Sequence, residues 1–152
     1  MSTLFAAVRD DSENLPLFVH VLGATILVGG LLSAATILAL ARGDARSLRL
    51  GYWTLLAVAF PGWIVMRVGA QWIYSEGPWD DLPEDPTWLG IGYFAADLGG
   101  LILLVSLIVG GIGVYRLRAD KGSGLLRATM ILSLILLATY VVAAWAMAGK
   151  PT

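Results

Sequence analysis

The sequence predicts an all-α fold, an up-down bundle of four transmembrane helices, and three observations carry that prediction. Residues 17–41, 50–74, 88–115 and 125–148 form apolar runs, each longer than the roughly 20 residues that cross a bilayer core. Of the 152 residues, 58% are hydrophobic and only 14% charged, a balance foreign to soluble domains. The few charges are also sorted. Seven of ten basic residues fall in or beside two connections: Arg42, Arg46 and Arg49 in the first, and Arg116, Arg118, Lys121 and Arg127 in the third. Eight of eleven acidic residues precede the first span or lie between the second and third. Short basic loops stay cytoplasmic, so both termini are expected outside. The whole chain, 1–152, reads as one four-span membrane domain in contact with the lipid bilayer.

Composition excludes several function classes. The basic residues are thin and sit at the lipid boundary, where helix anchoring accounts for them, so a nucleic-acid partner is not expected. The absence of cysteine removes disulfides, thiolate metal sites and cysteine nucleophiles. No catalytic constellation stands out, and the reading leans away from an enzyme.

The first span is tested against a cleavable signal peptide, which has a basic start and an apolar core of about 7–15 residues. Here the leading segment Arg9-Asp10-Asp11-Ser12-Glu13 is net acidic and the apolar run is longer, so a retained helix is expected, entered through Pro16 in its first turn. Along it His20, Gly23, Leu27, Gly30 and Ala34 share one narrow stripe. The pairs Gly29/Ser33 and Gly30/Ala34 have the small-xxx-small spacing that lets helix backbones approach in lipid. In the second span Pro61, followed by Gly62, predicts a kink. The connection from Ser75 to Thr87 carries Pro78, Pro83 and Pro86 and reads as irregular.

The third span repeats the small-residue device at Ala95/Gly99 and Ala96/Gly100, and the fourth aligns Thr129, Ser133, Tyr140 and Met147. Short connections make successive spans antiparallel neighbours. Trp72, Tyr74, Trp79, Trp88 and Trp145 gather at the expected outer surface, and Tyr52, Trp53 and Tyr115 near the inner one, as an interfacial aromatic belt does.

Three ionisable residues lie inside the spans: His20, Arg67 and Asp97. An Arg or Asp at a helix centre costs roughly 2.5–3.5 kcal/mol, so such residues need a partner or a task. At a helical rise of about 1.5 Å per residue, His20 lies about 5 Å in from Leu17, Arg67 about 8 Å from Trp72 and Asp97 about 13 Å from Trp88. All three therefore fall in the outer half, within reach of one another. Gln71 and Tyr140 are candidates to join them. Arg67 and Asp97 suit an ion pair, because a guanidinium fork matches a carboxylate. His20 is either a structural hydrogen-bonding residue or a proton-handling or ligand-binding group. As the lone histidine it cannot supply both axial ligands of a haem within one chain.

The segment His20-Val21-Leu22-Gly23-Ala24 with Gly29-Gly30, and the ending Trp145-Ala146-Met147-Ala148-Gly149-Lys150-Pro151, resemble the opening and closing signatures of a family of uncharacterised four-span bacterial integral membrane proteins. The opening is more loosely similar to copper-resistance-D-like proteins and to the membrane protoporphyrinogen oxidase. That resemblance implies a bacterial plasma (inner) membrane location and associates His20 with haem or metal. The chain departs from those proteins at Leu27, where they often carry tryptophan, and it lacks their histidine and methionine richness. Three functions stay open at this point. One is a small scaffold or accessory subunit held together by a buried His/Arg/Asp cluster. The second is a haem- or metal-binding redox protein using His20. The third is a transporter of a proton, metal or small anion, which calls for a homo-oligomer or a larger membrane complex.

Overall fold

The computed structural model describes residues 11–76, 87–119 and 121–149, and every regular element among them is helical. Helix α1 spans Asp11–Leu40. Pro16 therefore lies inside the helix rather than in its first turn, and it is fully buried.

At the other end Arg42 (φ 45°) and Gly43 (φ 89°) carry the chain through the left-handed region. Asp44 then caps the next helix, its carboxylate accepting the Ser47 backbone N–H at 2.7 Å and the Ser47 hydroxyl at 2.6 Å. Those two bonds, the hydroxyl's first, hold the Asp44 carboxyl below the usual carboxylate range.

The second span is one rod of three pieces: α2 (Ala45–Thr54), a π turn (Leu55–Ala59) and α3 (Phe60–Glu76). It begins at Ala45 instead of 50, because Arg46 and Arg49 sit on a capped helical turn that hydropathy alone passes over. Pro61 has no N–H to return to the carbonyl four residues back. The irregularity appears just ahead of it, where the Phe60 N–H reaches Leu55 O and the helix widens by one residue. Helix α4 (Thr87–Arg116) ends in a 3-10 turn (Leu117–Ala119), and α5 spans Ser123–Gly149. Part of the Ser75–Thr87 connection, including Trp79, lies outside the described residues, as does the side chain of Trp88.

Two antiparallel pairs build the bundle. In the first, α1 runs against the second span in constant register. His20 meets Gly69, Gly23 meets Met66, Leu27 meets Gly62, Gly30 meets Ala59 and Leu38 meets Gly51. In the second, α4 runs against α5, with Gly92 under Met147, Gly99 under Tyr140, Gly110 under Thr129 and Gly113 under Leu126. From His20 to Gly30 the first seam steps by three, four and three residues, and from Gly92 to Gly99 the second steps by seven, the spacing of the 3.5-residue repeat of supercoiled helices. Leu27, Leu31, Leu55, Leu103 and Leu136 fill the centre between the pairs. Tyr52 joins them, packing on Gly110 and Gly111 instead of standing at the membrane interface.

Segments Asn14–Leu40, Ala45–Glu76, Leu89–Ala119 and Ser123–Gly149 are long and apolar enough to cross a membrane. Phe18, Leu40, Phe94, Leu101, Ile108 and Trp145 lie exposed on the outside of the bundle, as lipid-facing residues do. Thr25, Thr54, Ser106, Thr129, Ser133 and Thr139 each return their hydroxyl to the carbonyl four residues earlier, so no hydroxyl among these six is stranded in an apolar setting. The architecture is that of a multi-pass membrane protein.

Candidate functional site

Helices α3 and α4 make few close backbone approaches, and long side chains span the space between them. Trp63 lies on Gly100 and donates its indole N–H to Ala96 O at 3.1 Å. One turn onward Arg67 Nη2 meets Asp97 Oδ1 at 2.7 Å. The same guanidinium stands over the Tyr93 ring, 5.0 Å from its centre, and Tyr93 meets Tyr74 edge to face at 5.6 Å. A side-chain wall of this kind holds two helices apart as much as it joins them.

Behind that wall, at the end of the bundle away from the basic loops, is a cavity of about 930 Å³. It is bounded by all four spans: Pro16 to Gly29 of α1, Met66 to Glu76 of α3, Leu89 to Ala96 of α4 and Tyr140 to Ala148 of α5. Most of the lining is apolar, with Ala24, Ala70, Ala95, Ala143 and Ala144 as its small-residue floor. Small-molecule sites fill roughly 300–1,000 Å³, so this volume suits a sizeable guest.

His20, Arg67 and Tyr140 line the cavity, whereas Asp97 and Gln71 do not. His20 Nδ1 lies 3.0 Å from Met66 O across the first seam. A carbonyl oxygen only accepts, so Nδ1 carries the proton and the free lone pair belongs to Nε2. No hydrogen bond or ion pair among the described residues joins His20 to Arg67, Asp97, Gln71 or Tyr140.

The five residues therefore do not form one buried cluster. Arg67 and Asp97 come together, but at the side of the bundle, where the Asp97 side chain is 61% exposed against 28% for Arg67. Seam positions Met66 and Gly69 fix the rotation of α3, and Gln71, midway between contact positions, looks outward. Tyr140 is held with its hydroxyl against Gly99, and that oxygen and Arg67 Nη1 are sealed without a hydrogen-bond partner among the described residues.

Three contributors to the site escape a reading by residue type. Trp63 and Tyr93 look like further lipid-facing aromatics, and Met66 acts through its backbone. A tryptophan in mid-span, one turn from an arginine, is the signal for the first. No group of three or more His, Cys, Asp or Glu side chains that would hold a metal ion occurs among the described residues. Comparison with known proteins finds no matching family model, no matching curated protein and no matching solved structure.

Proposed function

We propose that this multi-pass membrane protein binds an apolar small molecule in the cavity between its four spans. The observation that supports the reading is the cavity itself. In a bundle whose two seams close tightly on glycine, about 930 Å³ left open and lined from every span has the volume of a small-molecule site. The test is mass spectrometry of organic extracts from protein purified in detergent. One apolar species should accompany the wild type in near-stoichiometric amount and be lost from Ala70→Phe and Ala144→Phe, which fill the cavity from two helices. If the filled variants carry the same lipid complement as the wild type, the cavity is not a site. The protein then reverts to a scaffold or accessory subunit whose charges only join helices.

A second reading, haem binding through His20, is favoured by one specific observation. An imidazole whose Nδ1–H is fixed on a carbonyl presents Nε2 as histidine ligands of metals do. One histidine in a cysteine-free chain fits a single axial ligand, and haem would supply electron-transfer or oxygen chemistry. A Soret band in protein expressed with haem supplied, abolished by His20→Ala, is the expected result; a colourless wild type ends this reading.

The orientation we infer puts the basic loops in the cytoplasm, from the charge asymmetry. Labelling of Ser123→Cys by an impermeant thiol reagent on intact cells would reverse it.

A further inference from the structure

We propose that the guest is an uncharged, hydroxyl-bearing apolar molecule whose O–H donates to His20 Nε2, an inference that rests on the cavity being a ligand site. Few hydrogen-bonding atoms remain available there. Arg67 is neutralised by Asp97 through Nη2, and its Nη1 is sealed from the cavity. The Tyr140 hydroxyl is likewise sealed against Gly99. Glu76, at the outer rim, already accepts the Trp72 indole N–H at 2.7 Å. An anionic guest therefore finds no free counter-charge, and the Glu76 carboxylate, which keeps its charge, stands exposed at the end of α3 instead of in the apolar interior.

His20 differs from these groups. Its Nδ1–H is committed to Met66 O, while Nε2 has no partner among the described residues and is not among the sealed atoms, which leaves a bare acceptor nitrogen on a residue of the cavity lining. Left unpaired in an apolar setting, such an acceptor forgoes the hydrogen bond it had in water. A ligand hydroxyl restores it, whereas an ether or hydrocarbon does not. The alanine-rich wall takes the apolar remainder. The shared chemistry is a hydroxyl on a hydrocarbon body, whether a free long-chain or isoprenoid alcohol or the hydroxyl of an acylglycerol.

The test uses full-length protein in detergent and two photoreactive probes, a diazirine-bearing hexadecanol and its methyl ether, with cross-linked residues mapped by peptide mass spectrometry. Both probes should label the wall, at residues such as Ala24 and Ala144, with the alcohol binding about fivefold to tenfold more tightly, as expected for one hydrogen bond. His20→Phe should lower the alcohol to the level of the ether and leave the ether unchanged. His20→Gln, whose amide oxygen again accepts, should restore part of the difference. Geranylgeraniol and dioleoylglycerol as competitors then assign the source of the hydroxyl.

Equal binding of alcohol and ether by the wild type overturns the inference while leaving the cavity as a site. A preference that survives in His20→Phe does the same. If neither probe labels the wall, the ligand site fails and the inference fails with it. Should His20→Phe not fold, the comparison of alcohol and ether on the wild type decides alone.

Discussion

The two helix pairs use the same 3.5-residue seam but close it differently. Between α1 and α3 glycine stands on both sides. A Cβ on Gly23 would sit 2.6 Å from Met66 Cα and 2.7 Å from Val65 C, and one on Gly69 would sit 2.7 Å from His20 Cα. Backbone lies on backbone. Between α4 and α5 the glycines belong to α4, and each receives a side chain from α5: Met147 on Gly92, Tyr140 on Gly99, Thr129 on Gly110. Neither pair gains from the hydrophobic effect in lipid, so contact and shape do the joining. The first pair is rigid by construction. The second owes its geometry to side chains, and it is the pair whose α4 stands off α3 and leaves the cavity.

The largest expected effect comes from adding one methyl group to the rigid seam. Gly23→Ala and Gly69→Ala each force whole helix backbones apart, with no side chain able to swing aside. Overfilling costs typically about 1–3 kcal/mol, and these sites belong at or above the top of that range. Loss of folded yield and a lowered thermal midpoint in detergent are the readouts. Gly69→Ala also displaces His20, so it should weaken the alcohol preference of any protein that still folds. A wild-type-like Gly23→Ala would show that the pair is looser than the register implies.

Gly99→Ala should have an intermediate effect. Its Cβ would meet the Tyr140 hydroxyl directly and Cζ at 2.8 Å, but a ring can tilt where a backbone cannot. A cost of about 1–2 kcal/mol is expected. Tyr140→Leu should relieve it, so the double variant should be more stable than the sum of the single losses by about 1 kcal/mol. Strict additivity in thermal unfolding would mean that α4 and α5 adjust as rigid bodies, and the proposed difference between the pairs would disappear.

Much of this comparison is legible in the sequence, and the illegible part has one cause. The stripe His20, Gly23, Leu27, Gly30 and Ala34 can be read from spacing because heptad periodicity is local, and so can Thr129, Ser133, Tyr140 and Met147. Of the two small-residue pairs on α1, Gly30/Ala34 is at the seam while Gly29 faces open space. Composition cannot separate them, since that depends on where the partner lies. The π turn is invisible for a similar reason: Pro61 marks a disturbed hydrogen bond but not which neighbouring turn absorbs it. The cavity is the least legible feature. It arises because Trp63 and Arg67 reach from α3 to α4, where Arg67 meets Asp97 and Tyr93, instead of covering the bundle's outside, a choice of direction fixed by the first seam. Depth arithmetic places Arg67 and Asp97 near one level, but the exposure of Asp97 depends on helix rotation.

The smallest expected effects separate a flexible contact from no contact at all. At Gly92 the added Cβ would strike the terminal methyl of Met147, with Sδ at 3.5 Å and Cγ at 3.9 Å. Methionine is unbranched and its last torsions are soft, so the methyl can swing away. Gly92→Ala should cost well under about 1 kcal/mol, because the gain in helix propensity offsets what remains of the clash. Gly29 has nothing within 4 Å of its added Cβ, so Gly29→Ala should be neutral or stabilising by about 0.5–1 kcal/mol. The order of thermal midpoints should then run Gly29→Ala, Gly92→Ala, Gly99→Ala, Gly23→Ala from highest to lowest. Gly92 also lines the cavity, beside Met147. A methionine displaced from its notch moves into the guest's space, so Gly92→Ala should weaken probe binding more than it weakens the fold. Midpoint and labelling that fall together would place Met147 in the support of the bundle instead of at the boundary of a site.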